Sequence, residues 1–101
     1  MAETAQTLAL PTGTVVRSLA GRDAGYLLCV VGGQGESLLL CDGRERPLER
    51  PKRKNAKHIR PVEGVAPFGS EALRGNKALH KGLLRLERQL KAAQSDATEK
   101  G

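Results

Sequence analysis

The sequence predicts a mostly β domain: a small antiparallel barrel of about five strands, followed by one C-terminal amphipathic α-helix. Residues 13–62 alternate short apolar segments with tight turns, as is typical of a small curled barrel. After residue 69 the leucines recur with the 3.6-residue period of a helix. With 101 residues, the chain has the length of a single domain.

The first three strands are predicted where β-branched or apolar residues follow one another. They cover residues 14–19, 26–31 and 37–41. Loops that contain glycine, at 20–25 and 32–35, separate them. Such loops suit tight antiparallel connections, because glycine readily adopts positive φ angles.

Two further strands complete the predicted barrel. Asp42-Gly43 is typical of a two-residue hairpin, which would lead into a fourth strand at 44–48. Pro47 and Pro51 restrict that strand to an edge position or a short segment. Residues 58–62 form the fifth predicted strand.

The chain outside the barrel divides into four segments. They are a flexible leader at 1–12, a loop at 63–69, a basic amphipathic helix at 70–93 and a disordered tail at 94–101. The helix is expected most firmly from Asn76 onward, since Gly75 lowers helix propensity at its start.

The predicted helix has one apolar and one basic face. Leu79, Leu83, Leu86 and Leu90 share a narrow arc, opposite a basic stripe that includes Lys77, Lys81, Arg85 and Arg88. The leucines could dock on the barrel and leave the basic stripe merely solvated, or leave it as part of a phosphate-binding surface. The leucine spacing also fits a short coiled-coil seam, so we expect a monomer with weak self-association as a variant. Membrane-surface binding is disfavoured, because bulky aromatic anchors are missing from this helix.

Positive charge is concentrated in the middle of the chain. Lys and Arg number 17 against 11 Asp and Glu, a net charge of +6, and most of the excess lies in residues 41–60. Residues 50–57 contain five cations and no acid, so they repel one another unless an anion binds. This pattern favours a phosphate-rich partner, the alternative being a solvated loop that serves solubility.

Composition argues against several classes of protein. The longest apolar run, 26–31, is far too short to cross a membrane. The polar N-terminal segment does not resemble a secretory signal, so we expect a cytoplasmic protein. Cys29 and Cys41 are expected as buried thiols, with a disulfide as the alternative if their strands pair. A zinc site is a weak alternative, because these cysteines are scattered from His58 and His80 along the chain; no cofactor or metal is predicted.

Residues 13–25 resemble a KOW motif, which consists of a strand, a loop and a second strand with a glycine at its start. The continuation through 26–31 and 38–43 resembles the rest of the same barrel. Residues 44–59 are similar to the basic segment of small bacterial KOW-domain RNA-binding proteins, which are themselves similar to certain archaeal and eukaryotic large-subunit ribosomal proteins. The resemblance covers about residues 13–62.

The resemblance implies an SH3-like barrel that binds RNA, often ribosomal RNA. It assigns Gly25 as the KOW glycine and Arg22 as the basic position of the KOW loop, with Gly21 and Gly43 as further structural glycines. Asp23 departs from a purely basic loop, since it places a negative charge beside Arg22. The helix and the leader lie outside the resemblance.

We therefore expect a non-catalytic RNA-binding protein that is associated with the ribosome or translation, with RNA and ribosomal proteins as partners. With only Tyr26 and Phe68 as aromatics, stacking of unpaired bases is disfavoured. Phosphate contacts to a structured RNA are favoured instead. The expected contacts are Arg22, Arg44, Arg46, Arg50, Lys52, Arg53, Lys54, Lys57 and His58, with Lys77, Lys81, Arg85 and Arg88 as secondary ones. The side chains of Lys52, Arg53, Lys54 and Lys57 are expected to be exposed.

The sequence favours two other functions less strongly. A KOW-type adaptor of the transcription machinery would use the leucine face of the helix to bind protein. An enzyme is not expected, because the sequence lacks a nucleophile triad, paired carboxylates and a phosphate-binding glycine motif. His58 could act as the base of a nuclease, but it is more simply an RNA contact or a packed side chain.

Overall fold

A computed structural model describes residues 10–100, with the side chains of all of them except Gln34 and residues 94–100. Five strands form one antiparallel sheet in the order β4-β3-β2-β1-β5. They are β1 (Val15–Ser18), β2 (Leu27–Gln34), β3 (Ser37–Cys41), β4 (Lys52–Asn55) and β5 (Ile59–Pro61). A 3-10 turn at Ala56–His58 joins β4 to β5, and the helix α1 spans Asn76–Lys100. The predicted fold class, five antiparallel strands followed by one helix, is confirmed.

The sheet buries apolar side chains on both faces. Alternation along the strands sends Val16, Leu28, Val30, Leu38, Leu40 and Ile59 into one cluster, which we call the interior cluster. These residues come from four strands and the helix does not cover them, so the sheet must curl around them. A bulge between Val30 and Gly32 of β2 assists this curvature.

The helix covers the other face of the sheet. Val15, Leu27, Cys29 and Cys41 form a second cluster there with Leu79 and Leu83 of α1. Leu86 and Leu90 are half-buried and pack against the same cluster. The amphipathic pattern of the sequence thus corresponds to docking of α1 on its own barrel.

The predicted fourth strand was wrong. Residues 44–48 are a loop, and β4 is formed instead by the basic residues Lys52–Asn55, which pair with β3. Lysine and asparagine are poor strand formers, so local propensity pointed away from this segment. Its pairing is set by tertiary contacts that the sequence pattern does not display.

The helix also differs from its predicted bounds. It begins at Asn76 rather than at residue 70, because Ala72–Arg74 form a separate 3-10 turn and Gly75 is extended. It continues to Lys100, where a disordered tail was predicted from residue 94. Residues 94–100 contain no glycine or proline, and most of them are adequate helix formers. Most of the predicted leader, residues 1–9, lies outside the described residues, while Leu10 packs against the interior cluster.

Candidate nucleic-acid interface

The loop between β1 and β2 is held in place by a buried lysine of β4. Lys54 is only 8% exposed, because it pairs with Leu38 on the face that carries the interior cluster. Its Nζ donates hydrogen bonds to Asp23 Oδ1 at 2.7 Å and to the backbone oxygen of Ala20 at 2.8 Å. Nζ also lies 2.9 Å from the hydroxyl of Ser18, which donates to Asp23 Oδ1 at 2.7 Å. We call Ser18, Asp23 and Lys54 the clamp.

Lys52 adds a second cation to the clamp carboxylate. Its Nζ lies 3.3 Å from Asp23 Oδ2. Burial alone would raise the pKa of Asp23, but hydrogen bonds from Lys54, Ser18 and Lys52 outweigh it and lower this pKa to about 2. Asp23 is therefore ionised at neutral pH, and two lysines of the basic segment share its charge.

This arrangement corrects the expectation that four cations of the basic segment are exposed. Lys54 is buried and Lys52 is half-buried, whereas Arg53 and Lys57 are exposed as expected. Side chains 52 and 54 point to the same face of β4, toward the barrel interior, and residue 53 points away. Lys54 is thus a structural residue and is not available to phosphate, and Lys52 is only partly available.

A second loop, residues 42–51, which we call the arginine loop, carries three of the predicted contacts. Asp42 Oδ1 accepts hydrogen bonds from the backbone N–H groups of Arg44 at 2.8 Å and Arg46 at 2.9 Å. This side-chain cap replaces the hairpin that Asp42-Gly43 was expected to form. The loop is therefore ordered by its own backbone contacts, while the side chains of Arg44, Arg46 and Arg50 stay exposed.

The start of α1 fixes the same loop from the other side. Asn76 Oδ1 accepts from the backbone N–H of Leu48 at 2.7 Å, and Asn76 Nδ2 donates to Glu49 Oε1 at 3.0 Å. This hydrogen bond lowers the pKa of the Glu49 carboxyl. Gly43 has a φ of 80° and lies so close to the helix that a Cβ would overlap the backbone oxygen of Asn76. The sequence predicted Asn76 only as the start of the helix, and its link to this loop was not foreseen.

Six of the predicted contacts form the exposed set that we call the cation rim: Arg22, Arg44, Arg46, Arg50, Arg53 and Lys57. Among the side chains that the structure describes, ion pairs involve only Arg17, Lys52 and Lys54 as cations. None of the six rim cations thus forms an ion pair with an acidic side chain that the structure describes. His58, which was also a predicted contact, is half-buried. Arg60 of β5 is a further exposed cation that was not among the predicted contacts.

The clamp brings the separate parts of the rim toward one another. Arg22 directly precedes Asp23, whose carboxylate contacts two side chains of β4. Arg50 lies just before β4, and Arg53 lies within it. The structure thus places the β1–β2 loop beside β4 and the end of the arginine loop.

Both glycines of the β1–β2 loop have positive φ angles, which favour glycine. Gly21 and Gly25 have φ angles of 88° and 89°. Gly25 donates its N–H to the backbone oxygen of Ser18 at 2.7 Å, and its own oxygen accepts from Arg17 at 2.7 Å. Gly25 therefore occupies a conformation that favours glycine, while open space surrounds the position of its missing Cβ.

The helix stripe is exposed but only its beginning lies near the rim. Lys77, Lys81, Arg85 and Arg88 are all exposed. Lys77 follows Asn76, which contacts the arginine loop, whereas Arg88 lies roughly 17 Å beyond Lys77 along the helix axis. The expected self-association face is not free, because Leu79 and Leu83 are buried against the barrel of the same chain.

A groove of about 730 Å³ lies between the β1–β2 hairpin and α1. Tyr26 and Leu84 line it and are 59% and 45% exposed. Arg17, Arg44 and Lys91 face Asp42, Glu45 and Glu87 around it, so its charges balance. The sequence placed Tyr26 inside an apolar strand, and its exposure was not foreseen.

Among residues whose side chains the structure describes, no group of three His, Cys, Asp or Glu side chains could hold a metal ion. Within residues 10–100, no helix combines the length and the apolar character that a membrane span requires. No model of a known protein family matches the chain, and no curated protein matches it significantly.

Proposed function

We propose that the protein is a non-catalytic RNA-binding protein that contacts the phosphates of a structured RNA through the cation rim. This proposal rests on one observation: some of the predicted cations are ion-paired within the protein and others are not. Lys52 and Lys54 are ion-paired with the carboxylate of Asp23, while the six rim cations form no ion pair with the described acidic side chains. Like charges left together on ordered loops cost stability, which an anionic partner would restore.

The chemistry of the rim favours phosphate as the group recognised. Five of its six members are arginines, whose planar guanidinium can bind a phosphate through two parallel hydrogen bonds. Phe68 is half-buried, which leaves Tyr26 as the exposed aromatic side chain. A single aromatic side chain does not form a stacking platform for a single strand, so recognition rests on the shape and charge of a folded RNA.

The cellular setting of the proposal rests on the KOW resemblance of residues 13–62. It favours a cytoplasmic protein that associates with the ribosome, with ribosomal RNA as its ligand and ribosomal proteins as neighbours. The positive φ of Gly25 and the order of the β1–β2 loop support this resemblance.

Sedimentation of cell extract on a sucrose gradient tests the proposal. We expect the protein to migrate with ribosomal particles and to return to the top of the gradient after nuclease treatment. Alanine variants of the rim arginines should shift toward the top without nuclease. Sedimentation at the position of free protein in untreated extract would contradict the proposal.

The second candidate is a protein–protein adaptor, which the groove beside Tyr26 favours. Its exposed apolar lining and balanced charges suit a peptide segment better than a nucleic acid. For this candidate we expect co-migration with RNA polymerase that survives nuclease. A Tyr26→Ser variant should abolish that co-migration, while alanine variants of Arg50, Arg53 and Lys57, which do not line the groove, should retain it.

A further inference from the structure

The two cysteines lie directly opposite each other on neighbouring strands. Cys29 of β2 pairs with Cys41 of β3 in the antiparallel register. Opposed residues in such a pair have Cα atoms about 4.5 or 5.5 Å apart, depending on the hydrogen-bonding site. Both values fall inside the range of about 4.4–6.8 Å that disulfides span. Their side chains also share a face, since both belong to the cluster beneath α1.

From this register we propose that Cys29 and Cys41 form a cross-strand dithiol, a site that a low-molecular-weight disulfide oxidises to an intramolecular disulfide when α1 lifts away. In the structure both thiols are free. The proposal does not depend on RNA binding.

The helix is the gate of this site. Leu79 and Leu83 of α1 belong to the same buried cluster as the cysteines, both of which are 0% exposed. Burial raises the pKa of Cys29 to about 12 and that of Cys41 to about 11. Because the thiolate is the reactive form, both cysteines are protected while α1 is docked.

Cys41 is the cysteine that reacts first when the gate opens. It is the last residue of β3 and adjoins the arginine loop, and its Sγ lies 3.4 Å from the backbone oxygen of Pro47. That loop is tied to the start of α1 through Asn76. Opening at this end of the helix therefore exposes Cys41, whereas Cys29 lies inside β2.

The reaction consists of two thiol–disulfide exchanges. The Cys41 thiolate attacks the small disulfide, forms a mixed disulfide and releases one small thiolate, which takes up the proton that Cys41 lost. The Cys29 thiolate then attacks Sγ of Cys41, closes the Cys29–Cys41 bond and releases the second small thiol. The protein loses two electrons and two protons, and the small disulfide is reduced to two thiols.

Oxidised glutathione and mass spectrometry test the site. The full-length, fully reduced chain is incubated with oxidised glutathione, quenched with acid and alkylated with N-ethylmaleimide in denaturant. We expect a product that is lighter by two hydrogen atoms and carries neither glutathione nor maleimide. The Cys29→Ser variant should stop at the mixed disulfide on Cys41. Glutathione retained on wild-type Cys41, or a disulfide that joins two chains, would overturn the proposal.

The gate is tested with a variant that loosens the end of the helix. Asn76→Ala removes the hydrogen bonds to Leu48 and Glu49 but keeps the buried leucines. Since an opening free energy lower by about 1.4 kcal/mol means tenfold more open state, we expect oxidation about tenfold faster than in wild type. Glu71→Gln serves as the control, because Glu71 is exposed and makes no ion pair with the described side chains. Equal rates in wild type and Asn76→Ala would contradict the gate.

Discussion

At the scale of single residues, the basic segment divides into cations that build the fold and cations that are free to bind. Lys54 belongs to the first group, because its amine satisfies Asp23, Ser18 and the oxygen of Ala20 inside the barrel. Arg53, its neighbour in sequence, belongs to the second group and faces solvent. A count of positive charges along the chain therefore overstates the charge that is offered to a partner.

Replacement of Lys54 tests its structural role. Lys54→Met keeps the aliphatic packing but leaves the Asp23 carboxylate with Lys52 as its remaining cation. We expect a loss of about 2–3 kcal/mol in the free energy of unfolding, somewhat below the figure for a fully buried pair. Urea unfolding measures it, with Lys57→Met as the exposed control. Equal midpoints for the two variants would show that the clamp does not stabilise the fold.

The lowered pKa of Asp23 predicts a dependence of stability on pH. The folded-state pKa of about 2 lies below the ordinary value of 3.8, so the unfolded chain binds the proton first as the pH falls. The contribution of Asp23 is therefore complete above about pH 4 and is lost as the pH falls through about 2. We expect this loss to reach about 2 kcal/mol. Thermal unfolding across that window should be flatter for Asp23→Asn than for wild type, and parallel curves would contradict the prediction.

The backbone requirement at Gly25 gives another prediction. A Cβ at position 25 would meet no neighbour within 4 Å, so we expect the cost of a side chain there to arise from the φ of 89°. We expect Gly25→Val to destabilise the protein by about 1–2 kcal/mol. Gly75→Val is the matched control, since Gly75 also has open space but an extended φ of −167°. If both variants melt together, the positive φ is not what position 25 requires.

At the scale of elements, the sequence predicted those parts of the fold whose pattern is local. Residues 26–31 and 37–41 are short, nearly continuous apolar segments beside glycine-containing turns, and this pattern indicates β2 and β3 without knowledge of their partners. β4 could not be found in this way, because Lys52–Asn55 becomes a strand only through its pairing with β3 and the contacts of Lys54 with Asp23. The six cations of the rim were likewise among the contacts that the sequence predicted. The burial of Lys54 could not be predicted from the charge pattern, because it depends on which side of β4 faces the barrel interior.

The link between the arginine loop and α1 is tested at Gly43. Alanine there would overlap the backbone oxygen of Asn76 and lie 2.9 Å from the N–H of His80. Gly35 offers a matched control, since its φ of 62° is also positive but open space surrounds it. We expect Gly43→Ala to cost about 1–3 kcal/mol more than Gly35→Ala in urea unfolding. Equal costs would mean that the loop is not packed against the helix as described.

At the scale of the whole molecule, a small barrel and one helix present two separate basic surfaces. The cation rim lies on the β1–β2 loop, the arginine loop and β4, and the stripe of Lys77, Lys81, Arg85 and Arg88 lies on the outer face of α1. Both contribute to the net charge of +6 and so to attraction of any polyanion. Only cations that contact phosphate directly release counterions on binding. The salt dependence of RNA binding therefore distinguishes the two surfaces.

The salt dependence of binding to a double-stranded RNA hairpin tests directly whether the cation rim binds RNA. Two variants remove the same charge: one replaces Arg46, Arg50, Arg53 and Lys57 with alanine, and the other replaces Lys77, Lys81, Arg85 and Arg88. We expect the rim variant to flatten the slope of log K against log salt by about 3, and the helix variant by about 1 or less. Circular dichroism should show both to be folded. A flattened slope in the helix variant, with an unchanged slope in the folded rim variant, would contradict the assignment of RNA binding to the cation rim.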